Sequence, residues 1–355
     1  MNNDRIQEIL DLMEEARLDY FLISDPQSIA YCTGYYNDPH ERMFVFMISK
    51  HGNHTLFMND LFYLEHDLDV NIVWHKDGQD AIQTIVDEMH FPGRIGIDKN
   101  WASHFLLDLM KKLPDAKYIN ASPCVDLVRM KKDVQEQVLM IESSKINDAV
   151  MEEIIPFIQE GVTEKQLAKK LDELFFNHHS TCYGAIVAFG KNAADPHHEN
   201  DDTPLRKGDC VLIDMGCVYK GYCSDMTRTF FYEGILEEEI KVYEIVKKAN
   251  EAAEAMIKPG VKLSDIDKCA RKVISDEGYG KYFTHRLGHF IGRDVHEYGD
   301  VSSVNEMEVE EGMIFSIEPG IYLEGNFGVR VEDLVMVTKD RCQVLNSFTK
   351  DIYII

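Results

Sequence analysis

The chain is short of positive charge. Across 355 residues, 37 Lys and Arg stand against 62 Asp and Glu, giving a formal net charge of −25. Affinity for a phosphate backbone comes from neutralising it with Lys and Arg, so this balance excludes nucleic acid as a partner. There is no apolar run of eighteen or more residues, so nothing reads as a membrane-spanning helix and no membrane partner is expected. The opening stretch, MNNDRIQEILDLMEEARLDYFLIS, reads as a helix and strand of the folded body and lacks the pattern of a secretory leader; a soluble, cytoplasmic protein is the expectation. The cysteines, at 32, 124, 182, 210, 217, 223, 269 and 342, show no zinc-finger spacing. Cys217 and Cys223 can face each other across a hairpin, and without an export signal a reduced buried pair is the better reading. Solenoid repeats and low-complexity tracts are also absent.

What is present suits two folded domains. Apolar residues make up 45% of the chain, enough for substantial cores, and the length exceeds that of one ordinary domain. In the first third, Ile6, Ile9, Leu10 and Met13 recur at helical spacing. Strands are expected from Leu18 to Ser24, with Asp25-Pro26 as a turn, and at 42–48, 54–58, 71–74, 94–97 and 117–120; helical stretches fall near 78–90 and 101–112. That alternation predicts a smaller α/β amino-terminal domain over 1–123, with the boundary at Ser122-Pro123. Over 124–355 the rhythm changes. Helices are expected at 133–156, at 164–175 behind the capping pair Thr163 and Gln166, at 237–257 and at 265–276. Strands are expected at 182–189, 210–217, 223–232, 283–286, 313–318 and 328–337, an α+β arrangement.

The second region carries acidic residues in apolar or glycine-rich settings: Asp214 in VLIDMG, Asp225 in GYCSDMTRTF, Glu318 in FSIEPG and Glu332 in GVRVED, with His289 in HRLGHFIG. Aspartate disfavours strand interiors, which argues against ordinary solvated strand carboxylates at 214 and 225. A hairpin turning at Tyr219-Lys220-Gly221 brings those two together. Isolated buried carboxylates are costly, whereas several around cations are mutually compatible. Oxygen-rich ligation with one imidazole favours Mn²⁺, Co²⁺, Fe²⁺ or Zn²⁺ over a thiolate-held structural zinc. Two such ions suit amide hydrolysis.

Taken together, VLIDMG, GYCSDMTRTF, HRLGHFIG, VHE, SIEPGIY and GVRVED resemble the pita-bread metallopeptidases, a family of Xaa-Pro dipeptidases (prolidases), Xaa-Pro aminopeptidases and methionyl aminopeptidases, together with the metal-free creatinases. The resemblance covers nearly the whole chain. It implies an α+β pita-bread catalytic domain behind a creatinase-like amino-terminal domain. YCTGYYNDPHER, FGKNAADPHHEN and KYFTHRLGH are most similar to the bacterial cytoplasmic prolidases. Carried over, the pattern makes Asp214 a ligand of one metal, Asp225 and Glu332 bridges, and His289 and Glu318 the remainder of the second site. Glu318 is also the proton-handling carboxylate, accepting a proton from the attacking water. His197 in PHHEN resembles the histidine that steadies the scissile amide or leaving nitrogen, and His296 in DVHE the one that hydrogen-bonds the substrate carbonyl. Arg330 resembles the arginine near the substrate and the bridging carboxylate. His198 is expected at the surface, and Arg286 reads equally well as structural. The implied cofactor is a pair of divalent ions, Mn²⁺ first, with Co²⁺ or Zn²⁺ as alternatives.

Two positions depart from the family. Phe290 replaces the glycine that many relatives carry after the ligand histidine, and is expected as an apolar wall for a proline ring. Arg293 stands where uncharged residues are common. A dipeptide presents a free carboxylate directly after its second residue, and Arg293 is a candidate to meet it. Asp38 and His40, in NDPHER, are candidates to reach the site from the partner subunit of a homodimer, as the resemblance implies. The leading reading is a prolidase acting on proline-containing dipeptides. The alternatives are an Xaa-Pro aminopeptidase acting on longer peptides and a non-catalytic binding module of the same fold.

Overall fold

Short apolar strands build a six-stranded mixed sheet in the amino-terminal unit, Met1–Arg129. The computed structural model describes residues 1–90 and 92–355. In space the strands run Asn71–His75, Thr55–Asn59, Val45–Ser49, Tyr20–Ile23, Arg94–Ile97 and Lys117–Asn120. Tyr20–Ile23 is antiparallel to Val45–Ser49 and parallel to Arg94–Ile97, and it is buried on both faces. Side chains alternate across a strand, so Phe21 and Ile23 join Ile6, Ile9 and Met13 on one side, while Tyr20 and Leu22 join Ile82, Ile85 and Leu109 on the other. Asp25-Pro26 does more than turn the chain. The Asp25 carboxylate accepts the Ser28 N–H (2.9 Å) and proline occupies the first helical position, so a helix, Pro26–Thr33, starts there. A further helix, Ser122–Met130, follows the last strand.

The carboxy-terminal unit, Met130–Ile355, is α+β. Its long helices are Val134–Ile154, Glu164–Asn177, Glu237–Met256 and Leu263–Asp276. Thr163 and Gln166 form a reciprocal capping box at the second of these, and Asp133 and Glu136 do the same at the first. The strands are short and antiparallel. Cys210–Met215 lies between Ile186–Phe189 and Met226–Phe231; Asp333–Val337 lies between Ile314–Ile317 and Cys342–Val344; Gly320–Leu323 pairs with Phe327–Arg330.

Several expected strands are interrupted, each for a local reason. The run 182–189 breaks at Gly184, whose φ of +111° is outside strand geometry. The run 328–337 breaks at Val331 and Glu332, where the Glu332 N–H leaves the ladder to donate to Thr227 O (3.1 Å). The segment 283–286 is no strand, because the Arg271 guanidinium takes the carbonyls of Phe283 (3.0 Å) and His285 (2.9 Å) that a ladder would use. Cys217 pairs in register with Cys182, not Cys223, and all eight cysteines are free.

Candidate metal centre

The hairpin between Cys210–Met215 and Met226–Phe231 sets the first two carboxylates. Met226 lies opposite Met215 and Thr227 opposite Asp214, so Asp225 leads into the second strand close to the level at which Asp214 leaves the first. His289 and Glu318 are brought together by a tight crossing. The Glu318 N–H donates to Leu287 O (2.8 Å), and the His289 N–H donates to Ser316 Oγ (3.0 Å). A Cβ at position 288 would lie 1.9 Å from Ser316 O, so only glycine permits this approach. Glu332 enters from the break between strands described above.

These residues share one cavity of about 370 Å³, within the range of small-molecule sites. Asp214, Asp225, His289, Glu318 and Glu332 line it, as do His197, His296 and Arg330. Ligand atoms of Asp225, His289 and Glu332 all lie within 4.8 Å of one another, and all three residues are buried. His289 Nε2 stands 3.6 Å from both Asp225 Oδ2 and Glu318 Oε1, beyond ordinary hydrogen-bond length. Its Nδ1 lies 3.2 Å from Phe290 O, an acceptor, so Nδ1 carries a proton and Nε2 faces the carboxylates. Burial works against the charged ring, but Asp225 and Glu318 outweigh it and raise the His289 pKa.

Arg330 organises the opposite side. Its guanidinium donates to Asp214 Oδ2 (2.6 Å), Tyr322 OH (2.9 Å) and Thr227 Oγ1 (3.1 Å), and Thr227 in turn donates to Glu332 Oε2 (2.6 Å). Tyr322 OH lies 2.9 Å from His285 Nε2, while His285 Nδ1 lies 2.7 Å from Arg286 O. The carbonyl fixes the proton on Nδ1, so Nε2 accepts from tyrosine. The cavity histidines outside the carboxylate group sit on pinned segments. His198, expected at the surface, is largely buried and donates from Nε2 to Glu164 Oε2 (2.7 Å). Glu164 also accepts from Phe189 N, Asn192 Nδ2 and Asp201 N, clamping both ends of the segment that carries His197. The segment of His296 is held by a buried ion pair, Lys132 Nζ to Glu297 Oε2 (2.9 Å), and by Arg293 N–H donating to Glu297 Oε1 (2.9 Å).

The electrostatics are those of crowded acids. Burial and then the charges of Asp214 and Asp225 raise Glu318 to about 7, against the partial relief of His289 and Arg330. Burial and the neighbouring carboxylates hold Glu332 well above its ordinary range and raise Asp225. Burial, then the charges of His289 and Arg286, push His296 down to about 4; burial, then Arg330, does the same to His285. Glu332 Oε1 is buried and has no hydrogen-bond partner among the described residues. An orphaned carboxylate oxygen, an imidazole nitrogen facing acids and mutual repulsion among buried carboxylates are the features that bound cations would satisfy. The four carboxylates and His289 supply enough donors for a dinuclear divalent-metal centre.

The remaining sequence candidates lie elsewhere. The Phe290 ring is fully buried, 5.3 Å from the Phe315 ring and against Gly299, so it packs the core and does not wall the cavity. The Arg293 guanidinium lies over the Tyr222 ring and beside Gly221. Asp38 and His40 are exposed in the amino-terminal unit, where the His40 N–H donates to Asp38 Oδ1 (3.0 Å). Sequence reasoning passed over His285, Tyr183 and Tyr322. Tyr183 lines the cavity and donates to Ser224 O (2.7 Å). The one available signal was the spacing of His285 and His289 in HRLGH; the tyrosines gave none.

Comparison with known proteins agrees with this geometry. Residues 138–339 match metallopeptidase family M24, and residues 5–131 match the creatinase/prolidase N-terminal domain. The chain therefore belongs to metallopeptidase family M24. It is 34% identical to an uncharacterized peptidase of Staphylococcus aureus over 98% of this chain and 99% of that one. Among solved structures it is similar to a dipeptidase from Pyrococcus horikoshii (35% identity, TM-score 0.92, 99% and 100% of the two chains). It is also similar to a prolidase from Thermococcus sibiricus (32% identity, TM-score 0.94, 100% and 99%). No described helix is long and apolar enough to cross a membrane.

Proposed function

We propose that this protein is an Xaa-Pro dipeptidase that hydrolyses the peptide bond of proline-containing dipeptides with two divalent metal ions. The observation that carries the reading is the convergence of Asp225, His289 and Glu332 within 4.8 Å, in the cavity that Glu318, His197 and His296 also line. The likeness to a dipeptidase and a prolidase over essentially the full chain supports the substrate class. Asp214, Asp225, His289, Glu318 and Glu332 would hold the ions, and bound there they supply Lewis acidity that polarises the scissile carbonyl and makes water a competent nucleophile at neutral pH. Mn²⁺ is our first assignment, with Co²⁺ or Zn²⁺ compatible with the same oxygen-rich donors.

The chain's own residues then position the substrate and move protons. One Glu318 oxygen accepts from Ser316 Oγ (3.3 Å), which orients the carboxylate; it takes the proton of the attacking water and passes it to the departing proline nitrogen. His296, neutral in its buried setting, donates an N–H to the substrate carbonyl as charge develops there. His197 steadies the scissile amide. Arg330 holds Asp214 correctly turned through its 2.6 Å hydrogen bond. The proposal includes a homodimer, with Asp38, His40 and Arg293 as candidates for carboxylate selectivity.

The test is hydrolysis of Leu-Pro and Leu-Pro-Gly by the Mn²⁺-loaded protein, alongside its metal content. Metal-dependent cleavage of Leu-Pro with little cleavage of Leu-Pro-Gly is the expected result. Equal cleavage of both makes it an aminopeptidase, and a metal-free, inactive wild type removes the hydrolase reading.

A further inference from the structure

One buried amide engages both of the segments that carry the glutamates of the centre. Asn250, fully buried on the helix Glu237–Met256, donates from Nδ2 to Ile317 O (2.9 Å) and to Val331 O (3.3 Å). Each carbonyl belongs to the residue immediately before a carboxylate of the centre, Glu318 in one case and Glu332 in the other. Ile317 ends its strand and Val331 stands in a break between strands, so both carbonyls sit where a ladder stops. The two donors of a single planar group therefore fix the spacing of two backbones whose next side chains line one cavity.

The amide is itself held. Lys350 Nζ donates to Asn250 Oδ1 (2.7 Å) and to both oxygens of Glu254 (2.7 Å each), one helical turn on from Asn250. Carbonyls on one side and an ammonium on the other leave the amide a single orientation. The same ammonium lies 2.7 Å from Asp333 Oδ2, while Arg228 pairs with Asp333 Oδ1 (2.8 Å) and donates to Glu332 O (2.7 Å). Two cations and two carboxylates are thus largely buried together, at a desolvation cost that apolar residues would avoid. What the cluster achieves is position, since Val331, Glu332 and Asp333 are each engaged in turn.

We propose that Asn250, latched by Lys350, is a positioning residue of the metal centre: it sets the separation of Glu318 and Glu332, and so the grip on the ion beside His289. That ion draws on both glutamates, since His289 Nε2 faces Glu318 (3.6 Å) and His289 shares a cluster with Glu332. The position of Asp214 is set instead by Arg330 (2.6 Å), so the other ion depends less on Asn250. Groups that orient ligands without touching the metal typically change its affinity about 10- to 100-fold. The inference rests on the two-metal part of the proposed function and not on its substrate.

The experiment is calorimetric titration of Mn²⁺ into the chelator-treated full chain, for wild type, Asn250→Leu, Lys350→Met and Asp98→Ala, with electron paramagnetic resonance of the loaded proteins alongside. Leucine has nearly the volume of asparagine and neither donor. One of the two ions is expected to bind about tenfold more weakly in Asn250→Leu, with the other close to wild type. At two equivalents, the signal of a spin-coupled pair should give way to that of isolated Mn²⁺. Lys350→Met should weaken the same ion by a smaller factor. Asp98→Ala removes the acceptor of the Ser24 and Asp25 N–H groups in the amino-terminal unit and should leave both affinities unchanged, which separates positioning from loss of stability. If Asn250→Leu does not fold, Lys350→Met decides on the same readout. Wild-type affinity for both ions in either folded variant, or an equal loss in Asp98→Ala, overturns the assignment. If wild type binds two ions and leaves Leu-Pro intact, while Asn250→Leu loses one, the dipeptidase reading fails and the positioning role stands. A wild type that takes up no ion overturns both.

Discussion

Each unit buries a carboxylate, and the two are treated in opposite ways. In the amino-terminal unit, Asp98 accepts from Ser24 N (2.6 Å), Ser24 Oγ (2.8 Å), Asp25 N (2.8 Å) and Asn100 N (3.1 Å). Burial still raises its pKa, but these donors work against the rise. In the carboxy-terminal unit, Glu332 has one donor, Thr227 Oγ1, while its Oε1 has none and Asp225, Glu318 and Asp214 surround it. A carboxylate buried to hold a fold is given donors; one buried to hold a cation is denied them. Glu164 follows the first pattern inside the second unit: its carboxylate is filled by four donors and serves as a clamp.

The sharpest way to break this contrast is to alter the acid that moves the proton. Glu318→Gln is expected to lower kcat about 10³-fold, within the usual range for a general base, with no loss of folded structure by circular dichroism; activity within about tenfold of wild type contradicts the assignment. Next in size is Asp98→Ala, which strands the backbone N–H groups of Ser24, Asp25 and Asn100 and is expected to cost about 3 kcal/mol in urea unfolding. Activity per folded molecule should be retained, since Asp98 belongs to the other unit's scaffold.

Glu332→Gln sharpens the comparison in the reverse sense. With chelator present, the variant is expected to be more stable than wild type by about 1 kcal/mol, because a neutral amide replaces an acid crowded by other buried carboxylates, while Mn²⁺ no longer raises its Tm as it does for wild type. A metal-free variant less stable than wild type would count against the crowding. The smallest effect is in pH. Glu318 is raised from 4.5 to about 7 in the metal-free fold, so the folded state holds a proton that the unfolded chain has released over that window. Its contribution to stability is full below about 4.5 and is lost as pH rises through about 7. Metal-free protein should therefore lose stability across that window relative to Glu318→Gln, measured by urea midpoints; parallel profiles refute the shift.

Much of this site was legible because its chemistry is written in residues out of place, aspartates in strands and glutamates at the ends of apolar runs. All five carboxylate and histidine candidates, and His197, His296 and Arg330, line one cavity. What escaped was set by tertiary contact. His198 looks like a surface histidine in the sequence, but Glu164, 34 positions away, accepts its hydrogen bond. Phe290 looked like a pocket wall until Phe315 and Gly299 claimed its ring. The helix Pro26–Thr33 hid behind a dipeptide that reads as a turn, although Asp25 before Pro26 is also a strong helix start. Strands were harder to bound than helices, since the carboxy-terminal chain leaves its ladders after a few residues, and those exits carry Asp225 and Glu332 to the cavity.

The central claim is that these carboxylates are buried in order to hold metal that the reaction requires. Titrating chelator-treated protein with Mn²⁺ while following Leu-Pro hydrolysis tests it most directly. Activity should be absent at the start and rise to a plateau as two ions bind per chain. Full hydrolysis by the metal-free protein, or a chain that takes up no ion, would contradict it.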